Sequence, residues 1–324
     1  MSESLSTERR RRMLMSAFGP TIDAALRDAA TQEIMANPDG RLWVDRLGEG
    51  LREGGVVYDA PQVERIIRLV ASHARTEAHA DAPIVSAELP PHGQGAGERF
   101  EGVLPPVSIA PCFSIRKPAE RVYLLSDYVR DQILSEAASR LLARAIVERL
   151  NIVIAGGTSS GKTTLANALL AEMAGHGGRV ILIEDTRELQ CAAPDVVALR
   201  TKAGSVTMAD LVRSTLRLRP DRIIVGEVRG REALDMLKAW NTGHPGGIAT
   251  VHANSAAAAL HRIEQLIQED VVTVPRRLIA EAIDLIVFMS GRGLERRVET
   301  IARLTGLDSS GDYDLVELSP AEHP

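Results

Sequence analysis

The chain has 324 residues, 45% of them hydrophobic and 25% charged, with a formal net charge of −5. That length accommodates two domains with separate cores, and no apolar run approaches the 18 or so residues of a membrane-spanning helix. The acidic balance argues against a dedicated nucleic-acid binder, which needs many phosphate-neutralising cations on one face.

The first stretch, MSESLSTERRRRMLM, has no apolar core or small-residue cleavage site behind its charges and is not expected to be a secretory signal. Leu5 to Leu26 has helical spacing, with ERRRR as a solvated face that leaves room for a peripheral membrane or partner contact. EIMANPDGRLWVDR reads as two short strands around an Asn37-Pro38-Asp39-Gly40 turn. Pro61 to Glu77 follows as an amphipathic helix with Val63, Ile66, Ile67 and Val70 on one side. From Pro83 to Pro118, alternation and turn residues predict short strands, with a mobile loop at Pro90 to Gly97. The expected organisation is a mixed α/β domain over 1–118, a linker over 119–135 and a second domain over 136–324. Cys112 and Cys191 lie far apart, match no zinc or disulfide spacing, and suit a reducing cytoplasm.

The second part alternates strand and helix. Strands are expected at Asn151–Ala155, Arg179–Glu184, Arg222–Gly226, Ile248–His252 and Leu285–Ser290. Helices are expected at Lys162–Ala174, Thr207–Leu218, Arg231–Asn241, Ser255–Gln268 and Pro275–Ile283. Apolar strands in this alternation imply a parallel sheet covered on both faces.

Between the first of these strands and its helix lies Gly156-Gly157-Thr158-Ser159-Ser160-Gly161-Lys162-Thr163, followed by Thr164. It satisfies G-x-x-x-x-G-K-[ST], in which backbone N–H groups and a helix N-terminus cradle phosphates. Lys162, one of only 4 lysines against 34 arginines, would reach the β- and γ-phosphates, and Thr163 would ligate Mg²⁺. This makes ATP with Mg²⁺ the expected ligand. Two apolar runs downstream end in acids, at Glu184-Asp185 and at Gly226-Glu227. Because glycine stands where a conventional metal-binding aspartate would be, Glu227 suits organising water and the Mg²⁺ shell. His244 and His252 bracket TGHPGGIATVHANS; their spacing matches no zinc site, and both are expected on the phosphate side, sensing the γ-phosphate. Arg213, Arg217 and Arg219 form either a cationic helix face or a source of charge across a subunit interface.

GGTSSGKTTL, LIEDTREL, RPDRIIVGEVRG and TGHPGGIATVHANS, in this order, resemble the secretion ATPase superfamily, which powers type II secretion, type IV secretion and type IV pili. The resemblance covers roughly residues 150–256 and is strongest to the conjugal-transfer members of type IV secretion. It implies a RecA-like P-loop NTPase domain behind a smaller mixed α/β domain, working as a homohexameric ring. The implied site has Lys162 and Thr163 in the Walker A positions and Glu184 and Asp185 in an acidic box setting Mg²⁺ and water. Glu227 takes an atypical Walker B position, and His244 and His252 form a histidine box. FSIRKP resembles a segment of the family's N-terminal domain in which an arginine reaches the nucleotide, here Arg116. The implied partners are inner-membrane secretion components, with no sequence-specific nucleic acid, and the implied location is the cytoplasm or the cytoplasmic face of the inner membrane. The four-cysteine zinc element common in pilus and type II secretion ATPases is missing, which points away from those members, the alternative within the family. A RecA-like nucleic-acid motor is the alternative outside it.

Overall fold

In the computed structural model, residues 2–90, 97–118, 121–202 and 204–320 are described. The chain divides into two compact units, Met1–Glu120 and Arg121–Pro324. The expected loop at Pro90 to Gly97 falls almost wholly outside the described residues.

The first unit runs α1 (Ser2–Arg27), β1 (Thr31–Ala36), β2 (Arg41–Arg46), β3 (Gly50–Val57), α2 (Ala60–Ala74), β4 (Ile84–Glu88), β5 (Arg99–Val103) and β6 (Cys112–Arg116). Its described strands form one antiparallel sheet in the order β3-β2-β1-β6-β5-β4. The turn at 37–40 joins β1 to β2, and Gly40, at φ 80, is fixed there because a Cβ would come 2.1 Å from the Tyr58 carbonyl oxygen. α1 is interrupted at Gly19 ahead of Pro20. Its Leu14, Phe18, Ile22 and Leu26 meet Val63, Ile66, Ile67 and Val70 of α2 over the sheet. A reciprocal capping box between Asp59 and Gln62 starts α2.

The second unit comprises α3 (Leu125–Arg130), α4 (Glu136–Val147), β7 (Ile152–Gly156), α5 (Lys162–Met173), β8 (Arg179–Glu184), β9 (Asp195–Arg200), α6 (Met208–Thr215) and β10 (Arg222–Val225). It continues with α7 (Glu232–Asn241), β11 (Ile248–His252), α8 (Ala256–Gln268), α9 (Arg276–Ala282), β12 (Leu285–Ser290), β13 (Arg297–Leu307) and β14 (Tyr313–Pro320). The segment expected as a linker belongs to this unit from Arg121 onward, with Leu125, Tyr128 and Leu134 buried in its core.

The described strands of this unit form one sheet in the order β14-β13-β12-β7-β11-β10-β8-β9. From β12 to β9 neighbouring strands are parallel, so their carboxyl ends share one edge. Alternate residues face opposite ways. Val153, Ala155, Ile181, Ile183, Ile223 and Val225 pack with α6 to α9, whereas Ile152, Ile154, Val180, Leu182 and Ile224 pack with α3, α4 and α5. Burial on both faces is why these strands read as unbroken apolar runs.

The sheet departs from the expected all-parallel one at its end. Only residues 291–296 separate β12 from β13, too few for the crossover a parallel pair requires, and β12, β13 and β14 are antiparallel. The opposite edge of the sheet is pinned by two polar residues. Asn151 accepts from the Gly246 and Gly247 N–H groups through Oδ1 and donates from Nδ2 to the Ala282 carbonyl. Arg222, 1% exposed at the start of β10, donates from Nη2 to the Ile146 carbonyl at the end of α4 at 2.9 Å.

Candidate functional site

The glycine-rich loop leaves the carboxyl end of β7, which lies between β12 and β11. Ser159 (φ 62) and Gly161 (φ 95) adopt left-handed backbone, which turns successive N–H groups toward one concave side. α5 begins at Lys162 with no side chain capping its first turn, so its leading N–H groups are available to an anion. Ser160 is buried, Thr158 and Ser159 are exposed, and Thr163 and Thr164 are half-buried in the first turn of α5. A Cβ on Gly156 would come 2.5 Å from Ser160 Oγ and 2.6 Å from the Met289 carbonyl oxygen, whereas one on Gly157 would meet open space.

Lys162 is 7% exposed. Its ammonium donates to the carbonyls of Gly156 (3.1 Å) and Gly157 (2.9 Å) and lies 3.4 Å from His252 Nδ1. An ammonium can only donate, so Nδ1 is the unprotonated nitrogen and Nε2 carries the hydrogen. Nε2 then donates to Glu227 Oε1 at 3.1 Å. Glu227 Oε2 accepts from Arg229 Nη2 at 2.6 Å, and Arg229 Nη1 stands 3.8 Å from Asp185 Oδ2. The Thr201 hydroxyl donates to the other oxygen of Asp185 at 2.9 Å. A line of polar contacts thus runs Lys162–His252–Glu227–Arg229–Asp185 across the ends of β11, β10 and β8.

Burial pushes the Glu227 carboxyl up, but the Arg229 hydrogen bond and charge, with His252 and Lys162, outweigh it and hold the group below its ordinary range. Burial and the Lys162 charge lower the His252 imidazole against the opposing pull of Glu227. At neutral pH the pair is therefore a carboxylate and a neutral imidazole.

Glu184 is not in this line. It is 5% exposed, and its Oε1 accepts the backbone N–H groups of Glu188 (2.9 Å) and Leu189 (2.7 Å), closing the loop after β8. Burial pushes its carboxyl up to about 7 against those hydrogen bonds. It also accounts for the glycine before Glu227, because a Cβ on Gly226 would lie 3.1 Å from Glu184 Cγ. Glycine stands there to admit the neighbouring strand's glutamate.

The expectation that His244 and His252 share the phosphate side is corrected by the strand between them. β11 carries His252 at its carboxyl end, paired with Gly156, while His244 precedes its amino end. The strand spans about 13 Å, so His244 lies at the opposite edge, near the Asn151 clamp, with a buried Nδ1 that has no hydrogen-bond partner. Arg116 ends β6 in the first unit, 3.9 Å from Glu33. Arg213 faces Asp235 on α7 at 2.8 Å, as an ion pair. Arg217 and Arg219 are exposed.

The loop suits a nucleotide polyphosphate: left-handed turns, an uncapped helix end and one buried cation. Among the described residues, no three His, Cys, Asp or Glu side chains converge on a metal-sized point. Mg²⁺ usually keeps several waters and takes one or two carboxylates plus substrate phosphates. Thr163, with Asp185 at the next strand end, fits that pattern.

Arg229 was not singled out in the sequence, although it stands two residues after a strand-end acid, a spacing that returns a side chain to the same side of an extended chain. Arg296 gave no local signal; the β12–β13 turn brings it to the P-loop from 135 residues away.

Residues 20–292 match the family described as type II/IV secretion system protein. The chain belongs to that family. It is 47% identical to the conjugal transfer protein TrbB of Rhizobium radiobacter over 308 residues, 94% of each chain. It is also 33% identical to the type IV secretion system protein PtlH of Bordetella pertussis, over 85% of this chain and 91% of that one. Among solved structures, the pilus retraction motor PilT with bound ADP superposes with a TM-score of 0.62 at 18% identity, covering 92% of this chain and 82% of that chain. The Legionella pneumophila ATPase DotB gives 0.60 at 18% identity, covering 92% and 78%. These two show the fold, a RecA-like α/β P-loop domain preceded in the chain by a smaller mixed α/β domain.

Proposed function

We propose that this family member is a Mg²⁺-dependent ATPase that drives a type IV secretion or conjugal transfer system. It would work as a homohexameric ring with inner-membrane components of that system, on the cytoplasmic side. The observation that carries the enzymatic part is the contact line from Lys162 through His252 to Glu227 at the mouth of a phosphate-binding loop. Whole-length identity to a conjugal transfer protein supports the cellular role.

The loop N–H groups and the α5 N-terminus bind the β-phosphate, and Lys162 neutralises charge between the β- and γ-phosphates. Thr163, with Asp185, would hold Mg²⁺, and the ion would supply further neutralisation of that charge. Glu227 orients water for in-line attack: a bond forms from water oxygen to the γ-phosphorus, the bond to the bridging oxygen breaks, and ADP and phosphate leave. A carboxylate held below its ordinary range aligns water better than it removes a proton beforehand, which suits a loose transition state in which positioning carries most of the catalysis.

Lys162 also has two alternative sets of partners. Drawn to a γ-phosphate, its ammonium leaves the Gly156 and Gly157 carbonyls and His252 Nδ1, and His252 transmits that change to Glu227. In this reading Glu184 holds the loop after β8.

The test is phosphate release at neutral pH. Lys162→Ala is expected to abolish turnover. Glu227→Gln is expected to lower it by at least about 100-fold while ATP still binds. Full turnover in either variant removes the assignment. A strict monomer by light scattering, with and without ATP, removes the ring.

A further inference from the structure

The turn between β12 and β13 delivers an arginine to the phosphate-binding loop on the side of β7 away from Glu227 and His252. Arg296 Nη2 donates to the Ser159 carbonyl at 3.5 Å. Its Cδ and Nε lie 2.8 Å, and its Cζ 3.1 Å, from where a Cβ on Gly161 would stand. The guanidinium therefore lies against the Gly161 backbone, and its Nε is buried without a hydrogen-bond partner. Gly161 is constrained twice, by its φ of 95 and by this contact. The turn is itself fixed, by the β12–β13 ladder and by the Val298 N–H donating to the Ile133 carbonyl at 2.8 Å.

Ser159 holds a left-handed backbone, uncommon for a residue with a side chain. The N–H of the next residue, Ser160, donates to the Gly157 carbonyl at 3.4 Å, which closes the turn from within. Arg296 gives the Ser159 carbonyl a charged donor from outside the loop.

We propose that Arg296 is a positioning residue for nucleotide binding, holding the phosphate-binding loop in its anion-accepting form through the Ser159 carbonyl and the Gly161 backbone. The proposal rests on the reading of this loop as an ATP site and adds a residue outside the P-loop, strand-end and histidine segments. Arg296 acts on the cradle itself, which holds the phosphate common to ATP and ADP, so its loss affects both nucleotides alike. Lys162 and Glu227, by contrast, act at the γ-phosphate end.

Equilibrium binding of ATP and ADP to the full chain tests this, alongside steady-state hydrolysis and thermal unfolding. Arg296→Ala is expected to raise Kd for ATP and ADP each by about three- to tenfold, at or below the worth of one charged hydrogen bond because the contact is long and exposed. KM is expected to rise in step, with kcat within about twofold and an unchanged melting temperature. Arg296→Lys, which keeps charge and a donor, is expected to recover about half of that loss on a logarithmic scale. The inference is overturned if Arg296→Ala binds ATP and ADP as the wild type does. It is equally overturned if Ala and Lys variants lose binding equally together with melting temperature, which would make Arg296 a fold residue. A wild-type chain that binds no nucleotide overturns both this inference and the function it rests on.

Discussion

Replacing Glu184 separates a loop-closing role from a role in metal binding or hydrolysis. In the folded chain burial pushes this carboxyl up to about 7, from an ordinary value of 4.5. The folded state therefore holds the proton more tightly than the unfolded state, and stability falls as pH rises between those two values. Above about pH 7 the ionised group costs the fold about 3 kcal/mol. Glu184→Gln removes that titration and keeps an oxygen to accept the Glu188 and Leu189 N–H groups. It should exceed the wild type by about 1 kcal/mol or less near pH 5 and by up to about 3 kcal/mol near pH 8. Glu184→Ala instead leaves two backbone donors without their acceptor and should cost about 2–5 kcal/mol throughout. Urea unfolding from pH 5 to 8 measures this. A Trp43→Phe background leaves Trp240, buried in the second unit, as the reporter. A wild-type-to-Gln difference that stays flat with pH refutes the reasoning. Loss of turnover by about 100-fold or more in the Gln variant would return Glu184 to the catalytic set.

Other substitutions probe neighbouring contacts. Arg229→Ala removes the hydrogen bond and charge that hold Glu227 down, so the acid limb of the kcat–pH profile should move to higher pH; an unmoved limb separates Arg229 from the chemistry. Gly226→Ala drives a Cβ toward Glu184 Cγ and should destabilise by about 1–3 kcal/mol. That cost should shrink in a Glu184→Ala background, and strict additivity in a double-mutant cycle would contradict the packing account. Asn151→Ala deprives the buried Gly246 and Gly247 N–H groups of their acceptor and should cost about 2–5 kcal/mol in urea unfolding.

The phosphate loop was legible because its chemistry lies in one short segment, and a strand ending in glycines ahead of a helix fixes its context. The apolar runs of β7, β8, β10, β11 and β12 were legible for a related reason: strands buried on both faces have little room for polar residues. β9, β13 and β14 carry mixed faces at or near the sheet edges, and their sequences resemble the loops around them. His252 stands where expected, whereas His244 was misjudged even though a strand was expected at Ile248–His252: that strand ends at one histidine and starts after the other, so it carries them to opposite edges. The role of Gly226 depends on Glu184, 42 residues earlier, and could not be read without the pairing of β8 with β10. Arg296 lay hidden for the same reason, since only the antiparallel return of β13 brings it to the loop.

The buried arginine at the start of β10 has a mechanical consequence. A guanidinium does not shed its charge at any physiological pH, and Arg222 meets the carbonyl of Ile146 at the last turn of α4. Sliding α4 along the sheet by one helical turn would carry that carbonyl about 5 Å away and strand a charge in the protein interior, at a cost of several kcal/mol. α4 is therefore indexed to β10 like a key in a shaft. The strand so fixed is the one that, five residues beyond Arg222, carries Glu227.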